Sequence, residues 1–238
     1  METIEPIKIL LTLLFLLKAC EMDLKERRVP NRLWRNMLLV LIPLNVVEYF
    51  MEPFDLVFAA FQLAFVFTLC YALYYLGLYG GADAKAIMVL AAVFPTYPSF
   101  LVFPLLNHGL GILAFTTLAN SVLAAPFLVI ILLLRNALSG NLEFPYCLIG
   151  YKVSARAIPR FHNLLEYVEG SKIKKRLRSV EPSEEMLNEL RRAADAGLIK
   201  KVWVTPGLPF LCFITVGFVV AVLVGDLIVW LFLTSRGF

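Results

Sequence analysis

The sequence predicts an all-α polytopic membrane protein: a bundle of six transmembrane helices with a small α+β cytoplasmic domain inserted before the last helix. Three observations carry this expectation. Of the 238 residues, 60% are hydrophobic and only 17% charged, with a mean hydropathy of +0.79; soluble domains run nearer half apolar and a quarter charged. Six stretches reach or approach the roughly 20 apolar residues that a bilayer-spanning helix needs. The basic residues fall in alternate connections between those stretches. Together these exclude a disordered chain, a disulfide-rich secreted module and a coiled coil.

The spans are read at about 4–22, 33–51, 54–78, 84–103, 109–134 and 207–233. In the first, Lys8 and Lys18 lie near the ends, where a long aliphatic stem reaches the interface. An acidic flank (Glu2, Glu5) and the lack of a small-residue cleavage site argue against a signal peptide there. Pro95, Pro98 and Pro104 make the far end of the fourth span irregular. All but Lys8, Lys18 and Arg236 of the 22 basic residues lie in three connections: Lys25–Arg35, around Lys85, and Arg135–Lys201. The positive-inside tendency then sets those connections in the cytoplasm, with both termini outside. The expected organisation is residues 1–135 for helices one to five, 136–205 for a soluble α+β domain, and 206–238 for the last helix.

Within 136–205, Phe144–Val153 and Ile199–Val204 have strand-like composition. Ser183-Glu184-Glu185 opens a helix that Gly197 stops. The basic run Lys172–Arg178 lies beside no nucleic-acid recognition motif and is read as solvent- or anionic-lipid-facing, with no nucleic-acid partner. Cys20, Cys70, Cys147 and Cys212 form no CxxC pair and are read as reduced structural thiols where they lie in apolar stretches. Asn120 and Ser121 are read as interhelical hydrogen-bonding groups, and Asp226 as structural or interfacial.

Chemistry is sought at ionisable residues at membrane depth, because burying a charge is costly. Glu21, Asp23, Asp83 and Asp226 qualify. Asp23 opens Asp-Leu-Lys-Glu-Arg-Arg-Val-Pro30-Asn31 after span one; Asp83 lies in Gly80-Gly81-Ala82-Asp83-Ala84-Lys85 between spans three and four. Both face the same membrane surface in this topology. Two carboxylates in a partly dry site share one proton, so one serves as base toward a water and the other as acid toward a carbonyl. Gly80 and Gly81 allow close approach. Either segment alone also reads as ordinary structure, a tight turn with Asp83 capping a helix, or a cytoplasmic loop.

Together the two segments resemble the type IV prepilin peptidases and archaeal preflagellin peptidases, polytopic GxGD-type aspartic proteases. The resemblance implies that Asp23 and Asp83 are the catalytic pair, supported by Gly80, Gly81 and Lys85. It also implies a soluble insertion before the last span, as in the archaeal enzymes. The bacterial relatives' paired CxxC segment is missing, so no metal and no cofactor are expected and methylation of the product is doubtful. Ala82 stands where the motif has its second Gly, at some cost if left-handed backbone angles are needed there. Lys85 either biases Asp83 toward ionisation or anchors the helix at the interface. The implied activity is removal of the short basic leader from archaellin precursors at the cytoplasmic membrane face, with Glu21 and Glu26 favouring the basic leader. The competing readings are a peptidase for other type IV pilin-like precursors, and a non-enzymatic transporter or scaffold in which the aspartates cap helices or ligate ions.

Overall fold

The computed structural model describes residues 4–123, 125–169 and 172–235. They divide into two compact units: Ala125–Leu208, and the remainder of the chain. The second of these contains α1 (Ile4–Glu26), α2 (Asn31–Met51), α3 (Leu56–Tyr75), α4 (Gly81–Val93), α5 (Leu113–Val122), α9 (Phe210–Leu223) and α10 (Leu227–Ser235).

Helix α4 is the centre of this bundle. It is short but buried on nearly every side, through Ala84, Ala86, Ile87, Val89, Leu90, Ala91 and Val93, and it packs on α2, α3, α5 and α9. The surrounding helices each bury one stripe at helical spacing. Those stripes are Lys8, Thr12, Leu16 and Ala19 on α1, and Trp34, Met37, Leu41 and Asn45 on α2. On α3 the stripe is Gln62, Val66 and Cys70. Their other faces are apolar and outward, with Phe50, Val57 and Tyr75 each 80% exposed or more. An apolar exterior of this kind suits lipid rather than water. Gly217 lets α9 approach α5, since a Cβ there would stand 2.6 Å from the Thr117 carbonyl.

Three stretches are long and apolar enough to cross a membrane: Asn31–Met51, Leu56–Tyr75 and Leu113–Leu138. The six expected spans are thus met only in part. The expected fourth span is helical only to Val93, because Pro95 and Pro98 follow. The expected last span is broken between α9 and α10 at Gly225, whose φ of 110° no L-residue adopts readily. Lys8 also departs from expectation. It turns inward to pair with Glu48 of α2 and lies over the Phe94 ring, because that buried partner offsets the cost of its charge.

The unit Ala125–Leu208 begins with α6 (Ala125–Leu138) and continues through α7 (Tyr146–Ile149), β1 (Tyr151–Ser154), β2 (His162–Glu169), β3 (Lys172–Val180), α8 (Glu184–Asp195) and β4 (Lys201–Pro206). The strands form one antiparallel sheet in the order β1-β4-β2-β3. Side chains alternate across it. Leu164, Val202 and Val204 meet Leu190, Ala193 and Ala194 of α8, while Leu165 and Trp203 meet Cys147 of α7. Ser183 caps α8 by accepting from the Met186 N–H at 3.2 Å. Asn136 of α6 donates to the carbonyls of Cys147 and Gly150 at 2.9 and 2.7 Å.

An ionic cluster closes one side of this sheet. Glu143 pairs with Lys175, accepts from Trp203 Nε1 at 3.2 Å, and lies 3.9 Å from Lys152. The hydrogen bond from Lys175 holds the Glu143 carboxyl below the usual glutamate range, and that same bond raises the Lys175 ammonium. Glu166, 4% exposed, accepts from the Trp203 backbone N–H at 2.9 Å and faces Lys175 at 3.8 Å. Burial pushes the Glu166 carboxyl above its ordinary value.

Candidate active site

Asp23 and Asp83, sixty residues apart in the sequence, come to the same end of the bundle. Each carboxylate meets the first turn of a helix, where free N–H groups and the helix dipole favour negative charge. Asp83 sits in the first turn of α4 and its Oδ2 accepts from the Gly80 N–H at 3.1 Å. Asp23 lies in the last turn of α1, with the backbone N–H of Leu211, the second residue of α9, within electrostatic reach of its carboxylate. The Asp23 charge acts directly on Asp83, and so does the Arg27 guanidinium.

Arg27 ends α1 with a left-handed φ of 54° and brings Nη1 to 3.8 Å from Asp23 Oδ2. The Asp23 side chain is 14% exposed. This pair therefore stands partly out of water, where its mutual attraction outweighs that of a surface ion pair. Tyr79, packed edge-on against Phe210 at 4.9 Å, places its phenol within electrostatic reach of Asp83.

The glycines have distinct roles. A Cβ on Gly80 would stand 2.9 Å from Asp83 Oδ2, so this residue is what lets the carboxylate fold back over the helix start. A Cβ on Gly81 would meet only the Tyr74 ring at an ordinary 3.6 Å. Ala82 is already inside α4 and its φ is not positive, so the left-handed angle considered for this position is not required. Lys85 reaches away from Asp83, donating to Asn31 Oδ1 of α2 at 2.8 Å.

Two expectations change here. Cys20 and Cys212 are a disulfide, with Cα atoms 5.1 Å apart, and not reduced thiols. Cys20 is one turn before Asp23 and Cys212 follows Leu211, so the bridge ties α1 to α9 beside the carboxylate. Separation by 192 residues hid this pairing from the sequence. Glu21, expected to attract a basic leader, is already bridged by Lys18 and Lys25 of its own helix at 2.7 and 2.6 Å. Its charge is largely spent locally.

Among the described residues no group of three or more His, Cys, Asp or Glu side chains could hold a metal ion. A cavity of about 480 Å³ is at the other end of the bundle, between Glu5, Glu48, Glu52 and Tyr97. A shallower apolar groove of about 210 Å³ runs beside the start of α4, between Tyr71, Tyr74, Gly81, Ala84 and Met88. Arg27, Tyr79, Leu211 and the disulfide are the site features that sequence reasoning missed. Arg27 had a signal, four residues after Asp23 on the same helix face.

Comparison with known proteins gives the class to which this apolar helical frame belongs, that of the membrane peptidases. Residues 10–133 match the Type IV leader peptidase family, and residues 142–227 match the Archaeal Peptidase A24 C-terminus Type II. The chain belongs to the type IV leader peptidase family. It is 28% identical over 234 residues, covering 93% of this chain and 95% of the other, to the preflagellin peptidase of Methanocaldococcus jannaschii.

Proposed function

We propose that this leader peptidase is an aspartic endopeptidase acting on archaellin precursors, with Asp23 and Asp83 as its reacting pair. The observation that carries the reading is their placement at one end of the bundle, each against a helix start and within reach of the other's charge. The full-length likeness to a preflagellin peptidase supports the substrate class.

In this reading the pair holds one proton. The ionised carboxylate takes a proton from water as it attacks the scissile carbonyl, and the protonated one gives its proton to the carbonyl oxygen. Collapse of the tetrahedral intermediate returns a proton to the leaving amine, and the pair is restored. The hydrophobic segment behind the leader lies in the bilayer, with the α3–α4 groove as its natural rest. By the charge asymmetry of the connections, the site faces the cytoplasm.

Family membership also supports a second reading, in which the precursor is another type IV pilin-like protein. Purified full-length chain offered a panel of archaellin and pilin precursors separates the two. Cleavage restricted to archaellins supports the first, and cleavage restricted to pilin-like chains overturns it. A chain that cleaves nothing but carries ion flux in vesicles is a transporter.

A further inference from the structure

We propose that Asn31 and Lys85 form a positioning strap that sets the spacing of the two aspartates. The inference rests on the reading of Asp23 and Asp83 as the reacting pair. Asp23 lies in the last turn of α1, and eight residues later Asn31 begins α2 behind an extended Pro30 (φ −69°, ψ 144°). Asp83 begins α4, and Lys85 follows it by two residues. Residues two apart on a helix point to nearly opposite sides. Lys85 is thus turned from Asp83 and toward α2, where its Nζ donates to Asn31 Oδ1 at 2.8 Å. The bond joins residues 54 apart and closes a ring: the segment after one aspartate is fastened to the segment after the other.

A second polar tie lies further along the same helix pair, where Asn45 Nδ2 donates to the Ala92 carbonyl at 3.0 Å. Two ties at separate levels fix both the slide and the rotation of α4 against α2. The buried residues of α4 are all apolar, Ala84, Ala86, Ile87, Leu90 and Ala91 among them, and apolar contact is non-directional. Hydrogen bonds supply the direction. Asn31 is not consumed by capping, because Pro30 holds the cap position.

An exposed hydrogen bond exchanges water partners for a protein one and adds little net stability, too little to decide folding. A displacement of reacting groups by 1 Å costs up to about a hundredfold in rate. The strap is therefore expected to matter for turnover and little for folding.

The test uses full-length purified protein in lipid nanodiscs, with an archaellin-type precursor carrying a short basic leader and its hydrophobic segment. Lys85→Met and Asn31→Leu should each lower kcat roughly ten- to hundredfold with KM within about twofold. The double variant should be no slower than the worse single, and Lys85→Arg should recover most of the rate. A loss that falls on KM, singles whose effects multiply in the double, or unchanged kcat overturns the strap. Amide hydrogen exchange over Gly81–Lys85 is the readout independent of cleavage. It should quicken in Lys85→Met, and unchanged exchange overturns the strap. Asp23→Asn and Asp83→Asn run alongside: if they still cleave while exchange in Lys85→Met has quickened, the aspartate pairing falls and the tie between α2 and α4 stands.

Discussion

The two ends of α9 hold carboxylates in opposite conditions. At its start Asp23 meets the Leu211 N–H; at its far end Asp226 begins α10. Both use a helix start, as does Asp83, so the helix dipole alone does not tell them apart. The difference is in the remaining partners. Asp226 is 1% exposed and its two oxygens are taken, Oδ2 by Thr116 Oγ1 at 3.1 Å and Oδ1 by the Val229 N–H at 2.9 Å. Its surroundings are interlocked as well, with Asn120 bonding to the Gly225 carbonyl and the Leu227 N–H. Asp83 has one backbone hydrogen bond on one oxygen and remains half-buried, with a second negative charge for company. Asp226 is saturated, whereas Asp83 keeps the acceptor capacity that the proposed reaction requires for a substrate or a water.

Breaking the saturated end should therefore cost stability rather than rate. Asp226→Asn is expected to lower stability by about 1–3 kcal/mol, read as a fall in thermal midpoint, while the folded fraction still cleaves within about threefold of wild type. A large loss of rate at unchanged stability would mean that the contrast between the two ends is wrong.

Gly80→Ala tests the working end through the backbone. Its Cβ would displace Asp83 Oδ2, so cleavage should slow about ten- to hundredfold, whereas Gly81→Ala should remain near wild type in the same assay. Equal effects at both glycines would remove the argument from close approach.

The unit Ala125–Leu208 holds a buried carboxylate, Glu166, faced by Lys175, and Lys175→Met should destabilise that unit by about 1–2 kcal/mol, discounted for the partial exposure of Lys175. The raised Lys175 contributes stability at pH below its ordinary 10.5 that is lost as the pH rises through its higher folded value. The lowered Glu143 contributes above its ordinary 4.5, and that is lost as the pH falls through its lower folded value. Thermal midpoints against pH should show the alkaline limb disappear in Lys175→Met. The smallest effect is expected at Ala82→Gly, below about 1 kcal/mol of lost stability with cleavage unchanged, because this position is already helical.

What was legible in the sequence follows from what local pattern can encode. Apolar length marked α2 and α3, and Ser183 with Gly197 marked α8. Asp23 and Asp83 could be singled out as candidates because each lies in a short motif whose spacing is local. Strands β2 and β3 were missed because a run such as Lys172–Arg178 has the composition of a solvated loop and becomes a strand through pairing with β2. The break at Gly225 was missed because hydropathy averages over a single residue. The disulfide, the Leu211 N–H and the Asn31–Lys85 bond join distant segments, and no window of sequence contains both partners.

The central claim is that Asp23 and Asp83 act together while Asp226 does not. Single-turnover release of the mature chain, followed by mass spectrometry at matched folded fractions of Asp23→Asn, Asp83→Asn and Asp226→Asn, measures it directly. The account predicts a loss of at least about a thousandfold in each of the first two and a near-wild-type rate in the third. Cleavage retained by either of the first two, with the protein folded, would contradict it.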